Sequence, residues 1–119
     1  MYEDIFLTGQ LDPWPRKTEM VQLLQAAGFS IDVGRYSIRI NDCEHFVFQE
    51  YGGDLGEPQI DADASSLEKM LVDAGRVSTA LISADIRHRF ELYDELNEMV
   101  GYLHHKWSPP SDFQIKTDR

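Results

Sequence analysis

Apolar and polar residues alternate in short runs along most of this chain, and over two longer stretches the period changes to that of a helix. The first run, Tyr2 to Thr8, predicts a strand with Ile5 and Leu7 on one side. Gly9 to Pro15 breaks the pattern and contains Asp12-Pro13-Trp14-Pro15. Prolines next to a helix start cost little, because the first amide donors have no partner within the helix. A helix is then predicted from Pro15 to Ala27, with Met20, Val21, Leu23, Leu24 and Ala27 apolar and Gly28 just past its end.

Phe29 to Ile40 is extended. Phe29, Ile31 and Val33 alternate, Gly34 interrupts, and Tyr36, Ile38 and Ile40 resume. The glycine predicts a bulge or bend between two short strands. Asn41-Asp42 signals a turn, and His45 to Tyr51 forms the returning strand. Gly52 to Asp63 has no period and is expected to be an irregular connection, the kind of segment that often carries function. A second helix begins near Ser65. Ser65 and Glu68 fit a capping box, and Asp61 and Asp63 suit the positive end of the helix dipole. Leu67, Met70, Leu71, Ala74, Ser78, Leu81 and Ile82 keep helical spacing, which predicts one helix to about Ser83 through Gly75. The rival pattern stops at Gly75 and makes a strand of Val77 to Ile82.

Arg87 to Tyr93 and Met99 to Trp107 read as a hairpin, with Asp94 opening the turn and Asn97 in a left-handed position. Phe90 and Leu92 would then lie opposite Tyr102 and Val100. The order β-α-β-β-α-β-β predicts an α+β domain. Its sheet would be mostly antiparallel, with about five strands and two helices on one face. Residues 1–107 form this single domain, and the proline-bearing residues 108–119 are expected to be a flexible tail.

Composition narrows the class. A chain of 119 residues has material for one core. No apolar run approaches the roughly 20 residues needed to span a bilayer, and Glu3 and Asp4 replace the basic start of a signal peptide. The expected compartment is the cytoplasm. Cys43 is the single cysteine, lies between Asp42 and Glu44, and reads as an unreactive thiol. Eleven Lys and Arg against 21 Asp and Glu give a net charge of −10. That balance disfavours nucleic acid and anionic membrane and favours a basic partner.

Several groups of residues invite chemistry. His88 is expected to face His104, or His105 after a slip of one; a facing pair reads as a sheet-edge or pH-sensitive element before it reads as a metal site. Asp61-Ala62-Asp63 resembles a calcium-loop opening, but Ser66 and Val72 stand where glycine and the bidentate glutamate belong. The glycines at 52, 53 and 56 lack a P-loop ending. Arg39 and Arg89, with Arg35 and Arg87, would form a stripe if the two hairpins lay side by side.

No motif fixes a reaction, so the leading reading is non-enzymatic and needs no cofactor or metal. It is an acidic interaction protein that masks a basic protein, as an immunity protein or inhibitor masks a cationic toxin. Its binding residues would be Asp54, Glu57, Asp61 and Asp63 in the irregular connection, with Asp94, Glu95 and Glu98 at the hairpin turn. The alternative is a small-molecule-binding or enzymatic domain using Arg39, Arg89, His88 and His104 on the sheet face. Strand edges of small sheets invite pairing, which leaves a homodimer open.

Overall fold

Alternating burial sets the strands and a 3.6-residue stripe sets the helices. The computed structural model describes residues 4–51 and 58–107. Along the chain come β1 (Ile5–Leu11), α1 (Lys17–Ala26), β2 (Ile31–Val33), β3 (Ser37–Ile40), β4 (Phe46–Gln49), β5 (Gln59–Ala64), α2 (Leu67–Ser83), β6 (His88–Tyr93) and β7 (Met99–His105). The strands form one sheet in the order β2-β3-β4-β5-β1-β6-β7, with every neighbouring pair antiparallel. This is a single α+β domain. Both helices cover one face of the sheet, and the other face is open.

The covered face carries Ile5, Leu7 and Leu11 of β1, Ile38 and Ile40 of β3, Phe46 and Phe48 of β4, and Phe90 and Leu92 of β6. Met20 and Leu24 of α1 and Met70, Ala74, Val77 and Leu81 of α2 close over them. Small residues in the centre let large ones meet. Phe46 and Phe90 stand three strands apart, about 14 Å by strand spacing, yet their ring centroids are 6.0 Å apart. The rings lean over Ala62 and Gly9. A Cβ on Gly9 would come within 2.6 Å of Ile60 Cδ1 and 3.0 Å of Phe90 Cδ1, so any side chain here makes Ile60 and the buried Phe90 shift.

Seven strands replace the expected five or so. One of the two not counted is β2, set off from β3 by Gly34 as the pattern suggested. The other is β5, drawn from the segment expected to be irregular. Asp61 and Asp63 therefore lie on a central strand and do not cap a helix. Alternation with the buried Ala62 and Ala64 turns both carboxylates to the open face. The cap of α2 is Ser66, whose Oγ accepts from Lys69 N at 3.1 Å, one residue later than predicted. Glu44 serves Ser65 instead, accepting from its amide at 3.1 Å.

The single long α2 passes through Gly75 to Ser83 as expected. The hairpin forms too, with Asn97 left-handed at φ 65°. Tyr93 pairs with Met99 as the turn requires, but Leu92 pairs with Gly101. The extra residue, Val100, is a bulge that shifts the rest of β7 by one. Phe90 therefore faces Leu103, and His88 faces His105 rather than His104. Among the described residues no helix is long and apolar enough to cross a membrane. The expected tail at 108–119, and Asp54 and Glu57, lie outside the described residues.

Candidate protein-binding face

Rows of side chains cross the open face, set by the strand registers. One row runs Asp63, Phe6, Tyr93 over β5, β1 and β6. The next on β1 and β6 pairs Thr8 with Glu91, and a third runs Gln10, Arg89, His104. The last row is occupied by its own contacts. Arg89 donates to Gln10 Oε1 at 3.1 Å, lies 3.7 Å from Glu91, and rests over the Trp107 ring at 5.0 Å. Arg87 covers the same ring at 4.1 Å and pairs with Asp12. His104 stacks against Tyr102, their centroids 5.2 Å apart.

The arginine–histidine face expected as the alternative site is not assembled. Arg39 on β3 and Arg89 on β6 are four strand steps apart, about 19 Å, because β4, β5 and β1 intervene. His88 is on the covered face and fully buried. Its Nδ1 is 2.8 Å from the Ile86 carbonyl, which only accepts, so Nδ1 carries the proton. Nε2 then accepts from Ser78 Oγ, also at 2.8 Å. Burial pushes the His88 pKa below its ordinary value, and the nearby His105 and His104 add to this. Both ring nitrogens are committed, so the ring is a structural, neutral histidine. Facing it, His105 pairs with Asp85 at 2.9 Å.

The acidic residues fare differently. Segments 4–8, 59–66 and 91–100 lie side by side in the sheet and contain no Lys or Arg. They carry Asp4, Asp61, Asp63, Glu91, Asp94, Glu95 and Glu98. Asp63 is about 10 Å from Tyr93 across two strand steps, and the hairpin turn follows directly. Asp94 has a local task. Its carboxylate accepts from the amides of Leu96 at 2.9 Å and Glu98 at 3.0 Å, so it builds the turn. Glu95 accepts from the Asp4 amide at 3.2 Å, which ties the turn to the start of β1.

Two apolar side chains stand among these carboxylates. Leu96, at the tip of the turn, is 79% exposed, and Phe6, between Asp63 and Tyr93, is 44% exposed. Neither was among the candidates from sequence. Phe6 was legible as the residue opposite Ile5 and Leu7, and Leu96 as an apolar residue inside a run of acids. Asp61 pairs with His45 at 3.4 Å and accepts from Gln49 at 3.0 Å on β4.

A cleft of about 790 Å³ opens elsewhere, between α1 and the segment after α2, over Trp14, Leu23 and Ile86. Of its charged lining, Asp12 pairs with Arg87 and Asp85 with Lys106 at 2.8 Å, while Glu19 accepts from the Arg16 amide at 2.9 Å. Trp14 caps the core there, edge-on to Phe48 at 6.5 Å and Tyr51 at 5.9 Å. Compared with protein-family models, with curated proteins and with solved structures, the chain matches none.

Proposed function

We propose that this domain binds and masks a basic protein in the cytoplasm, in the manner of an immunity protein or inhibitor of a cationic toxin. The acidic end of the open face is the contact. One observation carries the reading: Asp63 of β5, Asp4 just before β1, and Asp94, Glu95 and Glu98 of the β6–β7 turn lie on the adjacent segments that bear the exposed Phe6 and Leu96, and those segments hold no Lys or Arg.

The chemistry follows from that arrangement. Carboxylates at a rim steer a cationic partner and speed its approach. Apolar side chains inside the rim supply area that can be dried, and such anchors dominate binding energy. Asp63, Glu95 and Glu98 are the contact acids. Asp94 supports them by holding the turn.

The test is affinity capture from native lysate with immobilised chain, eluted by a salt gradient. Wild type should retain a basic protein and release it at high salt. The Asp63→Asn/Glu95→Gln/Glu98→Gln variant should lose it. Retention of the same protein by both would contradict the proposal, as would the absence of any protein specific to the wild type.

A further inference from the structure

His45, Asp61 and Asp63 stand together where β4 meets β5. Their potential ligand atoms, one from each residue, all lie within 4.8 Å of one another. The sheet builds this cluster directly. Asp61 and Asp63 are two apart on β5, so they share the open face. The register of β4 with β5 pairs Val47 with Asp61, which brings His45 alongside Asp63. The Asp63 amide donates to the His45 carbonyl at 3.2 Å, which holds that junction.

We infer that these three side chains form a binding site for a first-row divalent transition ion, with Zn²⁺ and Mn²⁺ as its fitting occupants. Ligand atoms on one ion at about 2.1 Å each are at most about 4.2 Å apart. His45 Nε2 and Asp61 Oδ2 are 3.4 Å apart, already inside that limit. Small side-chain rotations bring Asp63 within it.

The donor set selects the metal class. An imidazole nitrogen favours zinc, nickel, copper and iron over calcium and magnesium, and the carboxylates admit manganese. Two carboxylates neutralise the dication. Gln49 Nε2 donates to Asp61 Oδ2 at 3.0 Å, a bond that orients a ligand from outside the coordination sphere. A groove of about 460 Å³, lined by Arg39, His45 and Gln49, opens beside the cluster. It gives the ion's remaining positions access to water or to an anionic ligand near Arg39.

The other histidines are differently engaged. Both ring nitrogens of His88 are in hydrogen bonds, and His105 is bound to Asp85. His45 is the histidine that stands with two carboxylates among the described residues. Asp63 is also a contact acid of the proposed partner face, so a bound ion would neutralise part of that face; ion binding itself is measured on the chain alone.

The experiment is isothermal titration of chelator-treated, full-length chain with ZnCl₂, MnCl₂ and MgCl₂, with equilibrium dialysis for stoichiometry. The expected result is saturable uptake of about one Zn²⁺ or Mn²⁺ per chain and no comparable uptake of Mg²⁺. His45→Gln, Asp61→Asn and Asp63→Asn should each weaken binding at least about tenfold, and Gln49→Ala should weaken it less. His104→Ala and His105→Ala should leave it unchanged, and Zn²⁺ should shift the ring resonances of His45. Circular dichroism checks that each variant is folded. No saturable Zn²⁺ or Mn²⁺ binding, or binding that survives His45→Gln and Asp63→Asn, would overturn the assignment.

Discussion

Replacing Ser78 by alanine probes whether His88 is a structural group. Ser78 Oγ donates to His88 Nε2 in a region where both residues are buried. Alanine leaves that ring nitrogen without a donor and without water. An unsatisfied buried acceptor costs about 1–3 kcal/mol. Alanine also regains about 0.5 kcal/mol of helix propensity inside α2. The net loss is about 0.5–2.5 kcal/mol, or a fall of roughly 2–12 °C in melting temperature for a domain of this size. Urea and thermal unfolding of both proteins at pH 7.5 measure it. The Ser78→Ala/His88→Leu double variant should cost less than the sum of its single changes, because the polar pair leaves together.

The same pair sets a pH dependence. Burial lowers the folded pKa of His88 below its ordinary 6.5. The unfolded chain then binds more protons between the two values, so stability rises with pH across that window. The His88 contribution is complete above about pH 6.5 and is lost as pH falls toward the folded pKa. His88→Leu should flatten that slope relative to wild type. A Ser78→Ala variant as stable as wild type, or an identical pH slope in His88→Leu, would refute the reasoning.

Three further outcomes are expected. Gly9→Val should destabilise by about 1–3 kcal/mol in urea unfolding, because even the first added carbon meets Ile60 and the fully buried Phe90. Gly75→Ala should stabilise by about 0.5–1 kcal/mol in the same assay, since a Cβ there meets nothing within 4 Å and α2 is continuous through it. Cys43 should react with iodoacetamide at pH 8 far more slowly than free cysteine: burial pushes its thiol up to about 12, and Asp73 adds to the shift.

Where apolar residues were large, the sequence was readable. α2 was recovered through Gly75 because the stripe from Leu67 to Ile82 outweighs a glycine penalty of about 1 kcal/mol. Gly34 correctly divided β2 from β3. β5 was missed because its inward side chains at 62 and 64 are alanines, and its outward aspartates resemble helix-capping acids. Of the alanines, Ala62 pairs with Phe46, and its small side chain leaves room for that ring to meet Phe90. The hairpin register was right at the turn and slipped at Val100, because a bulge leaves little trace in apolar alternation.

The candidate sites depended on the same features. Asp61 and Asp63 were singled out from sequence, but their place beside Phe6 and His45 follows from strand order, which no local pattern encodes. The arginine–histidine face failed for the same reason, since it assumed that the two hairpins were neighbours.

The central claim is that the acidic end of the sheet steers a basic partner onto Phe6 and Leu96. Its most direct test is the association rate of the captured partner at rising ionic strength, for wild type, for Asp63→Asn/Glu95→Gln/Glu98→Gln and for Leu96→Ala. The wild-type rate should fall steeply with salt. The neutralised variant should start slower and show a flatter dependence. Leu96→Ala should keep the wild-type salt dependence and dissociate faster. An unchanged salt slope in the neutralised variant, with wild-type dissociation for Leu96→Ala, would contradict the account.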